Sequence, residues 1–490
     1  MKNFRVKLFP IWGFLFFSAL LLCAFSPAFA TGKSLVRLEN LSKSDVVYFY
    51  ENCFDVAKSG SNYVEVVLDP TEKKALPAKF LANSKTLIPD LDKYIENIQA
   101  AQTRGSQYFT YDTMTAKLQE WAKTYSNFAT LSSIGKSWEG RDIWALKLTG
   151  NTQSEAKKPS VLIMGAHHSR EWISFEVPME ACKRLVEGYG KDANLTRLVN
   201  ERNIWFVPMV NPDGVTYSQT KSQYWRKNRR KNDSSTYGVD LNRNYGYQWG
   251  GKGASADPSN DTYRGPTAFS EPESQAIKAL AEKEHFQASI SFHSYSELVL
   301  YPFGYDYNVS NPDNATFKKF AGELAAFNKY TPENSSDLYA ASGDSDDWLY
   351  GQMKDLAFTF ELATTFIPPA NQISQICDLN VPAVFYLIDK AGPYAVTPTG
   401  NTEILSSLDS KSAMEAVLDG QNLLNNIPEE YKYLTMEKVN LAGERLSKLC
   451  SNEMQNGNHE LFNQISTTPG LEFVKSMVQE RQKFSSLHGE

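Results

Sequence analysis

Hydrophobic and polar positions change period several times along this chain, and each change marks a boundary. From Ser34 to Leu38 apolar and polar side chains alternate with the period of two expected of a half-buried strand, and Tyr63 to Leu68 (YVEVVL) reads as a second strand. Between them Val46 to Val56 carries helical spacing, and Pro70 ends the second strand pattern. Another helical stretch is expected over Leu87 to Ile98, with Pro89 near its first turn, where proline is tolerated. Two helices and short strands in so short a span predict a small α+β module. The polar run Gln99 to Ser106 (QAAQTRGS) reads as a linker, and Arg104-Gly105 within it as an exposed basic site open to a trypsin-like protease.

From Tyr108 to about Pro393 longer helical patterns alternate with short apolar runs bounded by Gly, Pro and Asn, which is the signature of an α/β fold. Strands are expected at Ser160 to Met164, Ile204 to Val207, Ala288 to Phe292 and Ala357 to Phe360. Most run directly into polar or charged residues. In open α/β sheets ligands bind beyond the carboxyl ends of the strands, so candidate ligands are expected to converge there. Beyond Pro393 the polar TPTGNTE leads into heavily polar, helix-compatible sequence in which Met414, Val417, Leu418 and Leu423 recur at roughly helical spacing. A small helical appendage docking by one apolar face is expected, with no assigned function.

The first residues have a different character. Lys2, Arg5 and Lys7 precede a mainly apolar run from Leu8 to Phe25, followed by Ala28-Phe29-Ala30, the pattern of a secretory signal peptide cleaved after Ala30. Leu22 stands before Cys23 where a lipoprotein signal wants a small residue, and no later stretch is apolar enough to anchor in a bilayer. The expected location is secreted or extracytoplasmic, periplasmic if the host is a Gram-negative bacterium. Cys53, Cys182, Cys377 and Cys450 then remain, and their pairing cannot be chosen from sequence. A hydrophobic content of 42% gives an ordinary globular core, and a net charge of −6 argues against a nucleic-acid partner.

Chemistry concentrates at a few points. His168 and Glu171 stand in HHSREWIS, just past the first of the apolar strands of the α/β region, and have the residue types of two thirds of a catalytic zinc site, which takes three protein ligands and keeps a fourth position open. Only six histidines are available, and His293, closing the run Ala288 to Phe292, is the natural third ligand. His167 points away from its neighbour and is read as structural. Glu361 closes the apolar strand LAFTFEL, where a lone carboxylate is costly, so it needs a basic partner or a task at the site. Arg226, Arg229 and Arg230 cluster in WRKNRR, and Asn242-Arg243 lies in GVDLNRN; a guanidinium there can grip a carboxylate, or serve a loop network.

These strings, with VPMVNPDG, SFHSYSELVLYPFGY and YAASGDSDDW in the same order, resemble the zinc carboxypeptidases of the pancreatic A and B type and their bacterial relatives over about Tyr108 to Gly392. YVEVVL and IPDLDKYIENI resemble that family's activation segment. The resemblance implies a mixed, largely parallel central sheet flanked by helices, preceded by an α+β prodomain. The expected division is signal 1–30, prodomain 31–104, catalytic domain 105–395 and C-terminal extension 396–490. It further implies one zinc ion per catalytic domain on His168, Glu171 and His293, Asp240 behind the first histidine, Glu361 as general base and Arg229 stabilising the oxyanion. Asn242 and Arg243 would clamp the substrate's terminal carboxylate, Tyr339 would close over the bound residue, and Arg170, Ser294 and Tyr295 would contact the upstream peptide.

The expected reaction is release of single C-terminal residues from peptides and proteins by a secreted, monomeric zymogen activated by a protease near Arg104. Asp346 at the pocket floor implies a preference for C-terminal Lys or Arg. Asp344, where the animal enzymes carry glycine, resembles broader bacterial relatives, and Asp347 is read as structural. The segment after Glu361, LATTFIPP, is shorter than in the animal enzymes, which leaves the place of Phe366 in the pocket open. Two alternatives remain: a peptidase of this fold acting on cell-wall or other specialised peptides, and a catalytically silent peptide-binding domain.

Overall fold

The computed structural model describes residues 32–100, 108–150 and 158–392, apart from 308 and 310. The expected signal, the linker with Arg104 and the C-terminal extension lie outside the described residues.

The N-terminal module comprises β1 (Ser34–Leu38), α1 (Lys43–Glu51), β2 (Asp55–Gly60), β3 (Tyr63–Leu68), α2 (Pro70–Ala75), α3 (Ala78–Leu81), β4 (Ser84–Ile88) and α4 (Leu91–Ala100). Its four strands form one sheet in the order β2-β3-β1-β4, over a core of Val36, Phe49, Val64, Val66 and Phe80. The two expected helices are shorter than the spacing suggested. Ser42 caps α1 in a reciprocal box with Asp45, but the helix stops at Glu51 because Val56 is drawn into β2, opposite Val66 of β3. Leu87 and Ile88 likewise belong to β4. Pro89 precedes the helix rather than sitting in its first turn, and Asp90 caps α4 by accepting the Lys93 N–H at 2.9 Å.

The larger unit runs α5 (Tyr111–Thr124), β5 (Ala129–Lys136), β6 (Asp142–Leu148), β7 (Ser160–Gly165), α6 (Ile173–Gly188), α7 (Ala193–Glu201), β8 (Asn203–Val207) and α8 (Pro212–Thr220). It continues through α9 (Pro272–Glu284), β9 (Ala288–Ser294), β10 (Leu298–Tyr301), α10 (Asn314–Asn328), β11 (Thr331–Asn334), α11 (Ser335–Leu338), α12 (Ser345–Met353), β12 (Leu356–Leu362) and α13 (Ile373–Lys390). Eight strands make one mixed sheet in the order β11-β10-β12-β9-β7-β8-β6-β5. The central run β12-β9-β7-β8 is parallel, and β6 and β10 join it antiparallel. Val161 and Ile163 of β7 enter one core with α6 and α13, whereas Leu162 and Met164 enter the other with α9 and α12. Burial on both faces explains why these strands read as continuous apolar runs.

The expected strands are all present, and three extend past their predicted ends: β7 takes in Gly165, β9 takes in His293 and Ser294, and β12 takes in Glu361 and Leu362. No described helix is long and apolar enough to cross a membrane. Cys53, Cys182 and Cys377 are unpaired, and Cys450 lies outside the described residues.

Candidate metal centre and substrate cleft

The carboxyl ends of β7, β9 and β12 meet at one point. Gly165 ends β7 where the chain passes so close to the Ser174 carbonyl that a Cβ would overlap it. The turn that follows is held by the Ala166 N–H on Ser174 Oγ at 3.0 Å and the Ser169 N–H on the Arg226 carbonyl at 3.0 Å. It carries His168 and Glu171 to the mouth of the sheet. On the neighbouring parallel strands His293 and Glu361 are register partners, so their backbones stand side by side.

His168 Nδ1 lies 2.8 Å from Glu171 Oε1, His293 Nδ1 lies 3.0 Å from Glu171 Oε2, and the two Nδ1 atoms are 3.1 Å apart. Two nitrogens bound tetrahedrally to zinc at 2.0–2.1 Å stand about 3.3 Å apart, so this buried donor set fits such an ion. Burial opposes ionisation of Glu171, but the two imidazoles hold its carboxyl well below the usual range. Behind them His168 Nε2 lies 3.1 Å from Asp240 Oδ1, and Asp240 Oδ2 accepts from Arg226 Nε and Nη2 at 3.0 and 2.9 Å. Asp240, despite its burial, is held well below the carboxylate range by Arg226 and then His168. Burial pushes Glu361 up to about 8, with His293 opposing and Glu171 adding to the rise. Burial lowers His167 well below the usual histidine range, so its ring is neutral.

One expected site residue is placed elsewhere. Arg229 turns away from the cleft: its guanidinium lies 3.7 Å from the Tyr217 ring centroid and near Trp225 and Tyr237, with Glu139 at 3.6 Å. Arg226 instead lines a small cavity together with Arg243 and Tyr339. The WRKNRR loop has no regular period, so spacing alone could not say which arginine turns inward. Asn242 Oδ1 accepts the Ser345 N–H at 3.0 Å, and Arg243 is braced by the Gly253 and Asn242 carbonyls at 2.8 and 2.7 Å.

Asp346 is buried on α12 with Thr359 donating to Oδ2, and its Oδ1 has no partner among the described atoms. Burial, and then the Asp344 charge, push its carboxyl well above the usual range; burial pushes Asp344 to about 6. Asp347 is structural, as expected: it accepts the Gly304 and Tyr305 N–H groups, each at 2.8 Å. Ser294 Oγ donates to the Phe366 carbonyl at 3.0 Å. Phe366 is itself buried against Tyr295 and under the Arg170 guanidinium.

The N-terminal module covers this cleft. Asp55 receives both Nη atoms of Arg170, with Nη2 to Oδ1 at 2.6 Å, and Tyr295 OH donates to Glu65 Oε2 at 2.6 Å. Tyr50 stacks on Tyr339 with centroids 4.7 Å apart, and Lys33 pairs with Asp261. Three residues expected to meet substrate are thus engaged by the module.

Residues 114–383 match the family model described as zinc carboxypeptidase. The chain is 32% identical over 340 residues to a zinc carboxypeptidase of Saccharothrix mutabilis subsp. capreolus, covering 63% of this chain and 76% of that protein. It is 35% identical over 323 residues to carboxypeptidase B of Rattus norvegicus, covering 62% and 77%. In fold it is similar to a carboxypeptidase A from Helicoverpa armigera, with a TM-score of 0.67 and 24% identity over 75% of this chain and 99% of that one.

Proposed function

This chain belongs to the zinc carboxypeptidase family, and from that premise we propose that it is made as a secreted precursor and removes C-terminal residues with a preference for Lys and Arg. The coarser activity, a zinc-dependent exopeptidase acting on peptide C-termini, comes with the family. The finer reading rests above all on Asp346, a buried acid at the pocket floor with one carboxylate oxygen unpartnered among the described residues.

His168, Glu171 and His293 hold the zinc ion, which when bound polarises a carbonyl and makes water more acidic. Asp240 orients His168 and keeps its Nε2 protonated. Glu361, beside His293, takes a proton from the attacking water and hands it to the leaving amine; such transfers are commonly worth about 10²- to 10⁴-fold. The oxyanion is stabilised by Arg226, in place of the Arg229 expected from sequence, because Arg226 lines the cleft and Arg229 does not. Asn242 and Arg243 hold the terminal carboxylate, which confines cleavage to one residue at the end. Asp346 meets the cationic side chain, Tyr339 closes over it, and Arg170, Ser294 and Tyr295 contact the upstream peptide once the N-terminal module leaves. The unit 31–104 is the inhibitory prodomain, 105–395 the catalytic domain, and the mature enzyme is a monomer.

The test uses protein cleaved near Arg104 and peptides ending in Arg, Leu or Glu, with zinc measured by atomic spectroscopy. Arg should be released fastest, and Glu361→Gln should keep zinc yet lose nearly all turnover. Equal rates on Arg and Leu would overturn the preference, and substantial activity in Glu361→Gln would overturn the base.

A further inference from the structure

His168 has a carboxylate behind it, whereas His293 has none among the described residues. Since His293 Nδ1 faces Glu171 and His168, its other nitrogen points away from the metal centre and lies 3.1 Å from Ser291 Oγ. Ser291 stands two residues earlier on β9, and the strand period puts both side chains on one face. Ser291 Oγ is also 3.2 Å from His167 Nδ1, and His167 Nε2 is 2.9 Å from Tyr245 OH. The His167 and His293 rings are stacked, with centroids 5.6 Å apart. Ser291, His167 and Tyr245 have no exposed surface, so solvent offers these groups no alternative partners.

Counting protons gives the chain a direction. A ligating imidazole presents a lone pair on Nδ1, so its proton sits on Nε2 and is donated to Ser291 Oγ. The hydroxyl proton of Ser291 then goes to His167 Nδ1. That leaves the His167 proton on Nε2, facing the Tyr245 oxygen. In the opposite tautomer His293 would aim a proton at the metal position. Tyr245 is in turn anchored by its N–H on the Gly343 carbonyl at 2.9 Å, so the far end is fixed.

We propose that Ser291, His167 and Tyr245 form a directional hydrogen-bond relay that fixes the tautomer and ring plane of His293, and so sets how tightly the site retains zinc. They are positioning residues. The assignment rests on the reading of His293 as a zinc ligand, and the experiment separates the two.

Zinc release from the full chain is followed with a chromogenic chelator in the wild type and in Ser291→Ala, His167→Leu, His167→Asn and Tyr245→Phe. Partners behind ligating histidines are typically worth about 10- to 100-fold in metal affinity. Ser291→Ala and His167→Leu should therefore release zinc faster by roughly that range. Tyr245→Phe should act in the same direction but less, and His167→Asn, which restores an acceptor near the Nδ1 position, should recover part of the loss. The visible spectrum of the cobalt-substituted protein should shift in Ser291→Ala, a change at the metal that a merely structural role does not predict, whereas the lost buried hydrogen bonds lower the unfolding midpoint of the metal-free protein in either case. If His167→Leu fails to fold, Ser291→Ala decides, because it removes a single oxygen and little packing volume. A wild type that holds zinc alongside a Ser291→Ala variant that holds it equally well overturns the relay alone. A wild type that binds no zinc overturns the metal-site reading and the relay with it.

Discussion

Glu171 and Asp240, under the metal position, Asp344 and Asp346, in and beside the first turn of α12, and Asp355, just before β12, are all buried, yet their carboxyls move in opposite directions. The first pair is held low by His168, His293 and Arg226, each at hydrogen-bond distance. The second group is pushed up: Asp344 to about 6, Asp355 to about 7, and Asp346 well above its usual range, chiefly by burial. Neither oxygen of Asp355 and only one of Asp346 has a hydrogen-bond partner among the described atoms. An acid buried with its own cation stays ionised, whereas an acid buried without one favours its protonated form until a cation is brought to it. The N-terminal module follows the same division. It supplies acids to the cleft's own hydrogen-bond donors, Asp55 to Arg170 and Glu65 to Tyr295.

Removing the paired acid should have the largest effect. Asp240→Ala leaves Arg226 as an uncompensated buried charge and His168 without its support, and such losses cost about 3–5 kcal/mol. Denaturant unfolding measures it, and zinc content should fall in parallel. A loss below about 1 kcal/mol, the range of an exposed pair, would break the comparison.

Asp346→Ala should differ in sign. The free protein should be as stable as the wild type or more so, because the acid it loses lacks a cation. Losing the charge partner of a ligand costs about 2–5 kcal/mol, so kcat/KM for C-terminal Arg should drop by roughly 30-fold or more with little change for Leu. An equal drop on both would sever Asp346 from specificity.

How much of this could be read from the chain follows the same physical line. His168, Glu171, His293 and Glu361 stand at or just past strand ends, where the period of the apolar runs fixes position, and the structure brings them together. Which arginine of WRKNRR turns inward is not legible, because loops carry no period and only the fold decides that Arg226 meets Asp240 while Arg229 lies over Tyr217. His167 reads as structural because it points away from its neighbour His168; the alternation Ser289, Ser291, His293 puts Ser291 on the ligand's face, but nothing in sequence places it beside His167. Val56 and Leu87 carried helical spacing, but sheet pairing drew them into strands.

Asp55→Asn probes the covered side of the cleft. Asp55 and Arg170 are both buried, and asparagine keeps the shape while removing the charge. Uncut protein should become more active on peptide substrates by about tenfold, equivalent to about 1.4 kcal/mol of module docking. Unchanged activity would mean that the module is held by its other contacts, such as Tyr50 on Tyr339.

The smallest effect comes from pH. Asp344 is raised to about 6, above the ordinary aspartate value near 3.9 in the unfolded chain. The unfolded state therefore gives up its proton first as pH rises. The stabilising share of Asp344 is complete below about pH 4, is lost between about 4 and 6, and stays constant above. Asp344→Asn should flatten that slope, and it isolates the charge because asparagine also caps α12, where Asp344 now accepts the Asp347 N–H at 2.7 Å. A second carboxylate charge near Asp346 is worth about 1 kcal/mol, so the Arg-over-Leu ratio of kcat/KM should rise roughly fivefold between pH 5 and 7. Asp344, Asp346 and Asp347 titrate as a set, and a bound guanidinium favours their ionised forms. The midpoint for kcat with Arg substrates should then lie below the midpoint for kcat/KM, which reports the free enzyme. Coincident midpoints would mean that the substrate's cation does not reach these acids, and that their missing partner lies elsewhere.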